Sequence, residues 1–280
     1  MKTFTQKTLY FFLFICATQL YAQEIDYIDV YQEFKVDKIY PLFGDNVNLR
    51  SAPNTSSKEI TRLRIGFDVT IVSKTNVMFE SGESKIPWYE VQYKGQKGFI
   101  PGKFIAHKKV KTNTHSFYFN KKITKKHGDQ LVIRTVVGDE YSNYKESFMQ
   151  LYGSLVSAHL EDNHDLMNVS KILKIQHHGE SCGAENGITY FFLKENNDLV
   201  HITHLSVSGD IGFFSSETFT FTTNENNGQP IIIFKKEEGA DVDDEGLWTE
   251  SKTMIRQFEW NGTKLVPEFS KEFYKREKTN

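Results

Sequence analysis

A short stretch of the chain combines residue types that nucleophilic catalysis uses, in the order His177-His178-Gly-Glu180-Ser-Cys182-Gly183. Such catalysis needs a cysteine thiolate beside a histidine base, and the base needs a third group that orients it. His201 or His204 could serve as the base for Cys182. However, Cys182 lies in a glycine-flanked loop between predicted strands, without the helix N-terminus that often lowers the pKa of a reactive thiol. We therefore predict no catalytic residue and keep a cysteine-dependent hydrolase as the alternative.

The same side chains raise the question of a zinc site. A structural zinc ion takes four nitrogen or sulfur ligands that converge tetrahedrally, usually with close paired spacings. The candidates are His177 or His178, Cys182, and His201 or His204. His201 and His204 lie three positions apart on a predicted strand, so their side chains should point to opposite faces of a sheet. This geometry argues against joint ligation, and no zinc site is predicted.

An acidic loop is the better candidate for a metal ion. The run Asp241-Val-Asp243-Asp244-Glu245-Gly246 places oxygen ligands at positions 1, 3 and 5 and glycine at position 6, as in the first half of a calcium-binding loop. Lys252 stands where such a loop needs its bidentate acid. An exposed acidic turn between strands is the commoner origin of this pattern. We predict no cofactor and no metal, and keep Asp241, Asp243 and Glu245 as a calcium candidate.

The N-terminal segment has the pattern of an export signal. Lys2 and Lys7 precede the apolar run Leu9–Ala17, and Ala22 precedes a polar residue. These features are typical of a secretory signal peptide, and the run is shorter than the roughly 20 apolar residues that a membrane-spanning helix needs. Cleavage after Ala22 would leave Cys182 as the single cysteine, so no intramolecular disulfide could form. We predict an exported protein, periplasmic or extracellular, with no membrane span in the mature chain.

The next region, residues 36–109, has the pattern of short strands separated by turns. Three segments occur in a specific order: Val47-Asn-Leu-Arg-Ser-Ala-Pro53, then Leu63-x-x-Gly66-x-x-Val69-x-Ile71, then Trp88-Tyr-x-Val-x-Tyr-x-Gly-x-x-Gly-Phe-Ile100. This order resembles the bacterial SH3 (SH3b) domain. The resemblance implies a small, partly open β-barrel that binds peptides or cell-wall fragments and performs no chemistry. The stretch Lys74–Pro87 is longer than the usual connection in that family.

Aromatic and basic side chains of this barrel are the candidate ligand-binding groove. Neighbouring residues of a strand face opposite sides of the sheet, and Val91 shares the side of Tyr89, so that side is predicted to face the core. Trp88 is then the more exposed aromatic residue, although it could instead fill the end of the barrel. An exposed indole near arginine side chains suits peptide binding. The predicted groove residues are Trp88, Tyr89, Arg50, Arg62 and Arg64.

The remainder of the chain also has strand patterns with short polar connections. Residues 147–159 are compatible with a short helix, and Asn261-Gly262 predicts a hairpin with a type I′ turn. The predicted fold class is all-β, with an N-terminal SH3-like small barrel followed by an antiparallel β-sheet domain. The predicted division is a signal peptide (1–22), a lead segment (23–35), the SH3b-like domain (36–109), a C-terminal antiparallel β domain (110–270) and a charged tail (271–280).

Composition limits the classes of function. Hydrophobic residues form 39% of the 280 positions and aromatic residues 14%, which excludes bulk disorder. A net charge of −2 argues against a nucleic-acid binder that relies on overall positive charge. The charge is also segregated, because residues 36–109 hold 12 basic and 7 acidic side chains whereas residues 110–280 hold 19 basic and 25 acidic ones. A basic barrel suits an anionic partner, such as the carboxylates of cell-wall peptides.

From these patterns we predict an exported, non-enzymatic binding protein of the cell envelope. Its SH3b-like module would dock peptide or cell-wall (peptidoglycan) ligands. Two alternatives stay open: a cell-wall hydrolase that uses Cys182, and an inhibitor or immunity-type partner protein whose acidic C-terminal domain caps a basic enzyme. The sequence does not determine the oligomeric state.

Overall fold

The computed structural model describes residues 26–138, 143–153, 155–179, 186–241 and 249–269. Three antiparallel sheets make up the fold, and the all-β class predicted from the sequence is confirmed. In the described ranges, no helix has both the length and the hydropathy needed to cross a membrane. The predicted signal peptide, residues 1–22, lies outside the described residues.

The first sheet forms the small barrel and has six strands. They are β2 (Ile39–Pro41), β3 (Val47–Arg50), β4 (Glu59–Leu63), β5 (Asp68–Ser81), β6 (Ser84–Tyr93) and β7 (Gln96–Pro101), in the spatial order β2-β5-β6-β7-β3-β4. A 3-10 turn, Gly102–Phe104, follows β7. The β6–β7 hairpin has a two-residue loop, with φ of 46° at Lys94 and 81° at Gly95, which is the backbone conformation of a type I′ turn. Alternate residues of the strands fill an apolar barrel core.

The second sheet has four strands, and one of its faces packs on the third sheet. Its strands are β8 (Lys108–Lys111), β9 (His115–Thr124), β10 (Gly128–Val137) and β11 (Lys145–Gln150), in the order β11-β10-β9-β8. The inner face carries Phe117, Phe119, Leu131 and Ile133, all fully buried. Because β-strand side chains alternate, the residues between these four lie on the outer face, which is turned toward the barrel.

The third sheet has nine strands and two apolar cores. Its strands are β1 (Tyr27–Asp29), β12 (Leu155–Glu161), β13 (Val169–His178), β14 (Asn186–Lys194), β15 (Leu199–Asp210), β16 (Phe213–Thr223), β17 (Pro230–Asp241), β18 (Thr249–Trp260) and β19 (Leu265–Val266), in that spatial order. The first half packs on the second sheet. The second half curls around its own aromatic core, which contains Phe192, Phe234, Phe258 and Trp260.

The barrel is joined to the second sheet by buried polar contacts as well as by an apolar cluster. The side-chain amide of Asn120 donates to the carbonyls of Ile105 (2.7 Å) and Lys103 (3.1 Å). The guanidinium of Arg134 donates to the carbonyl of Phe43 at 2.6 Å. Buried carbonyl groups need such partners. These contacts therefore hold the barrel and the outer face of the second sheet in a defined relation.

Two local predictions for the C-terminal region are corrected. Within 147–159, the described residues contain the end of β11 and most of β12 instead of a helix, because β11 pairs with β10 along its whole length. A β18–β19 hairpin follows Trp260 as predicted, but its loop has four residues, since Trp260 pairs with Leu265. Asn261 Oδ1 accepts from the backbone of Lys264 at 2.9 Å. This side-chain contact replaces the two-residue type I′ turn.

Candidate functional site

A large groove lies between the barrel and the outer face of the second sheet. Its volume is about 950 Å³, within the range of roughly 300–1,000 Å³ usual for ligand sites. The barrel contributes the β5–β6 hairpin tip and the 3-10 turn, and the sheet contributes the end of β9, the middle of β10 and part of β11. Seven basic and three acidic residues line the groove: Lys85, Lys103, Lys121, Lys122, Lys125, Lys126 and Arg134, with Glu33, Glu83 and Glu146.

The acidic residues of the groove are already engaged with cations. Glu146 pairs with Arg134 at 2.7 Å and Glu83 with Lys125 at 3.5 Å, while Glu33 pairs with Lys74 of the barrel. Among the described carboxylates, none lies at ion-pairing distance from four other lysines of the groove, which are Lys103, Lys121, Lys122 and Lys126. The groove therefore offers an excess of positive charge that an anionic ligand could neutralise.

Two of these four lysines are partly withdrawn from water. The Lys103 ammonium, which has no carboxylate at ion-pairing distance among the described residues, donates to Ser81 Oγ at 2.9 Å and lies 4.7 Å from the centroid of the Phe79 ring. The Lys121 ammonium lies 3.7 Å from the centroid of the Tyr31 ring. Burial lowers the pKa of both lysines, with Arg134 adding to the effect at Lys103. A cation that has lost part of its hydration interacts more strongly with an incoming anion, because the local dielectric constant is lower.

The long insert of the barrel, Lys74–Pro87, builds one wall of the groove. It extends β5 and β6 into a hairpin that ends with the pair Ser81 and Ser84. At the tip, the Glu83 carboxylate accepts from the backbone N–H of Lys125 at 2.7 Å. The insert thus spans from the barrel to the second sheet. Without it, this side of the groove would be open.

Comparison with known proteins bears on the barrel. Residues 45–106 match the family model of the bacterial SH3 domain. The chain contains a bacterial SH3 domain. No curated protein and no solved structure matches the chain. The match covers less than a quarter of the chain, so the two sheets that follow the SH3 domain are described from their structure alone.

The exposure expected for Trp88 in the SH3 domain is wrong. Only 2% of Trp88 and 2% of Tyr89 is accessible to solvent. Tyr89 faces the barrel core as predicted, but the other face of β6 is covered too, since the Phe79 ring of the insert packs edge-on against the Trp88 indole at 5.7 Å. The alternation of side chains along β6 correctly placed Tyr89 and Trp88 on opposite faces. It could not show that the insert covers the face that carries Trp88. Tyr89 borders the groove, and its contact with a ligand stays a prediction.

The three predicted arginines of the SH3 domain are engaged in the barrel itself. Arg50 donates to the carbonyl of Ser57 at 2.8 Å, and Arg64 pairs with Asp45 at 2.6 Å. Arg62, which is more exposed, lies near a neighbouring carboxylate at 3.4 Å. None of the three is among the described residues that line the groove. The structure therefore does not bring the five predicted residues together in one site.

Sequence reasoning missed the lysines of the second sheet. The signal was present as two closely spaced pairs, Lys121-Lys122 and Lys125-Lys126, at the end of β9. Counting charge over residues 110–280 concealed it, because acidic residues elsewhere in that region outweigh these four. These lysines form part of a groove only because the SH3 domain lies beside them.

The other sequence candidates are placed only in part. Cys182, Asp243 and Glu245 lie outside the described residues. His177 and His204 both contact Thr189, on the inner side of the third sheet. Across the described ranges, three or more histidine, cysteine or acidic side chains converge nowhere in a way that could hold a metal ion.

One histidine at the edge of the groove makes stability depend on pH. Burial, and secondarily the charge of Lys121, lowers the pKa of His107 to about 4, although Asp29 opposes this shift. The ring stacks on Phe34 with centroids 4.7 Å apart. An unfolded histidine titrates near roughly 6.5, so the folded state disfavours protonation. This part of the stability is complete above pH 6.5 and is lost as the pH falls toward 4.

We therefore expect the free energy of unfolding to fall between pH 7 and pH 4.5, with about 2 kcal/mol of the fall due to His107. Urea unfolding of the wild type and of His107→Phe at both pH values measures this share. The variant keeps an aromatic ring beside Phe34 but cannot be protonated, so its pH dependence should be smaller by that amount. Equal pH dependence of the two proteins would contradict the assignment.

Proposed function

We propose that this protein is an exported, non-enzymatic binding protein of the cell envelope. Its bacterial SH3 domain and the adjoining second sheet would together hold an anionic peptide or an anionic cell-wall fragment in the groove. The single observation that supports this most strongly is the set of four groove lysines without a carboxylate partner among the described residues, in a chain whose net charge is −2. An isolated positive surface of this kind attracts anions.

Two further points support the proposal. A bacterial SH3 domain fits a module that binds peptides or cell walls, and the predicted signal peptide would carry the chain to where such ligands occur. In addition, the groove lies between the SH3 domain and a neighbouring sheet, and ligand sites often form at such junctions. Carboxylates of cell-wall peptides have the charge that the groove lysines require.

The test is a sedimentation assay of the mature chain, from Gln23 onward, with purified peptidoglycan. We expect retention at 50 mM salt and a loss of at least about tenfold in affinity at 300 mM salt, because salt screens the attraction between groove lysines and carboxylates. A glutamate-rich peptide should compete, and the same peptide with amidated side chains should not. Absence of retention, or retention that salt and the charged peptide leave unchanged, would refute the proposal.

The same assay separates binding from hydrolysis. The supernatant should contain no released cell-wall fragments. Fragments that appear with the wild type and disappear with Cys182→Ser would instead establish the hydrolase. Retention of the Cys182→Ser variant at the wild-type level is expected in either case, so this variant also controls for correct folding.

A further inference from the structure

A second, smaller cavity lies where the ends of β10 and β11 meet β14 and β15. Its volume is about 370 Å³. The groove is rich in lysine, whereas the cavity has no lysine, arginine, aspartate or glutamate among its described lining residues. The polar part of the lining consists of Gln130, Gln150, Tyr152, Thr189, His201, Thr203 and His204. Amide, hydroxyl and imidazole groups of this kind can each both donate and accept hydrogen bonds.

The floor of the cavity continues into a buried polar chain across three strands. Thr189 Oγ1 lies 3.0 Å from His204 Nδ1 and 3.0 Å from His177 Nε2. The Tyr152 ring stacks on the His204 ring with centroids 4.2 Å apart. Burial, and secondarily the neighbouring histidines His204 and His178, lowers the pKa of His177 to about 3, so its imidazole is neutral at physiological pH. The His177 member of this polar network is therefore uncharged at physiological pH.

The innermost atom of this chain is incompletely satisfied. His177 is 1% exposed, and its Nδ1 atom has no hydrogen-bond partner in the part of the chain that the structure describes. Polar groups in a sheet interior cost stability unless they are paired, and an apolar stripe would pack here without that cost. Because Thr189 has a single hydroxyl hydrogen, it can donate to only one of the two imidazoles. A group bound in the cavity can therefore influence which of these buried side chains, His177, Thr189 and His204, donates and which accepts.

The cavity and the groove share a wall. Phe148 on β11 lines both, and 38% of its surface is exposed. One row of paired residues also crosses the sheet between the two sites, from Lys122 in the groove to Gln130 and Gln150 in the cavity. A ligand that lies across this row would meet lysine at one end and uncharged amides at the other.

We propose that the cavity binds an uncharged saccharide unit of the ligand whose anionic part lies in the groove; this inference rests on the proposed function. Saccharide hydroxyls both donate and accept, as the lining groups do, and the apolar face of a sugar ring can pack on an exposed aromatic ring such as Phe148. A charged group is disfavoured because the described lining offers it no counter-ion. A neutral peptide is the competing occupant, and the experiment includes it.

The experiment measures calorimetric binding of three probes to the mature chain: a neutral N-acetylglucosamine trimer, an uncharged capped dipeptide and a glutamate-rich peptide. We expect the trimer to bind, the dipeptide not to bind, and Gln150→Ala to weaken trimer binding about three- to tenfold, the loss usual for one hydrogen bond. Gln176→Ala is the matched control, since Gln176 is exposed on β13 and lines neither site.

The two proposals fail separately in this design. If the glutamate-rich peptide does not bind while the trimer does, the role of the groove is refuted. If the trimer does not bind, the saccharide site is refuted. Binding of the capped dipeptide in place of the trimer, or equal effects of Gln150→Ala and Gln176→Ala, would also overturn the inference. A trimer joined to a glutamate tail should bind at least about tenfold more tightly than either probe, because the second contact becomes intramolecular.

Discussion

Replacing Lys122 and Lys126 with glutamate is expected to weaken the binding of a glutamate-rich peptide by on the order of 100-fold at low salt, or about 2.7 kcal/mol. Both lysines are exposed residues of the groove, and neither has a carboxylate partner among the described residues. Two unit charges 4 Å apart interact by about 1 kcal/mol in water and about 4 kcal/mol near a protein surface. The double variant turns two such attractions into repulsions, so a loss of about 2.7 kcal/mol is at the lower end of what Coulomb's law gives.

The control for this experiment is Lys58→Glu combined with Lys97→Glu. These lysines are also exposed, on the SH3 domain, and lie outside the groove lining, while the two substitutions change the net charge by the same amount. The control pair should reduce the affinity by no more than about threefold, through long-range repulsion that salt removes. If both double variants lost affinity equally, the effect would come from net charge and the groove would not be the binding site.

Replacing Trp88 with alanine is expected to lower the free energy of unfolding by about 3–5 kcal/mol, the usual cost of removing a buried aromatic side chain. Trp88 is 2% exposed and packs between the β6–β7 pair and the Phe79 ring of the insert. The cavity left by its removal cannot collapse easily, because both faces of β6 are covered. Urea unfolding followed by circular dichroism measures the change.

Phe213→Ala provides the comparison, because Phe213 is 46% exposed and its removal should cost no more than about 1 kcal/mol. Trp88→Phe should recover part of the stability, since it refills most of the space. A Trp88→Ala protein that unfolds like the wild type but no longer binds peptidoglycan would mean that Trp88 contacts the ligand. That outcome would restore the original prediction for this residue and contradict its assignment to the interior.

Local sequence was sufficient where neighbouring residues decide the conformation. The strands of the SH3 domain follow from side-chain alternation, and the glycines around residue 95 indicate a turn there, although the turn is confined to Lys94 and Gly95, whose φ is positive at both positions. At Asn261 the same reasoning was incomplete, because a side-chain contact to Lys264 closes a longer loop. The all-β class followed from the sum of many such local patterns, so single errors of turn type did not alter it.

Burial and site composition depended on contacts between distant parts of the chain. Whether Trp88 is exposed is decided by Phe79, nine positions earlier, which reaches it only because the insert folds back as a hairpin. The groove needs Lys103 from the SH3 domain and Lys122 from the second sheet. A charge count by region assigns Lys103 to the basic region 36–109 and Lys122 to the acidic region 110–280.

Alternation, turn residues and the SH3 motif are properties of adjacent positions, so the amino-acid order by itself determined the strands, the fold class and the SH3 domain. Only the tertiary structure decided which faces water reaches and which cations lie side by side. The physical reason is that solvent exclusion and electrostatic potential are set by distances in space, and here those distances are fixed by Asn120, Arg134 and the insert that join the barrel to its neighbouring sheet.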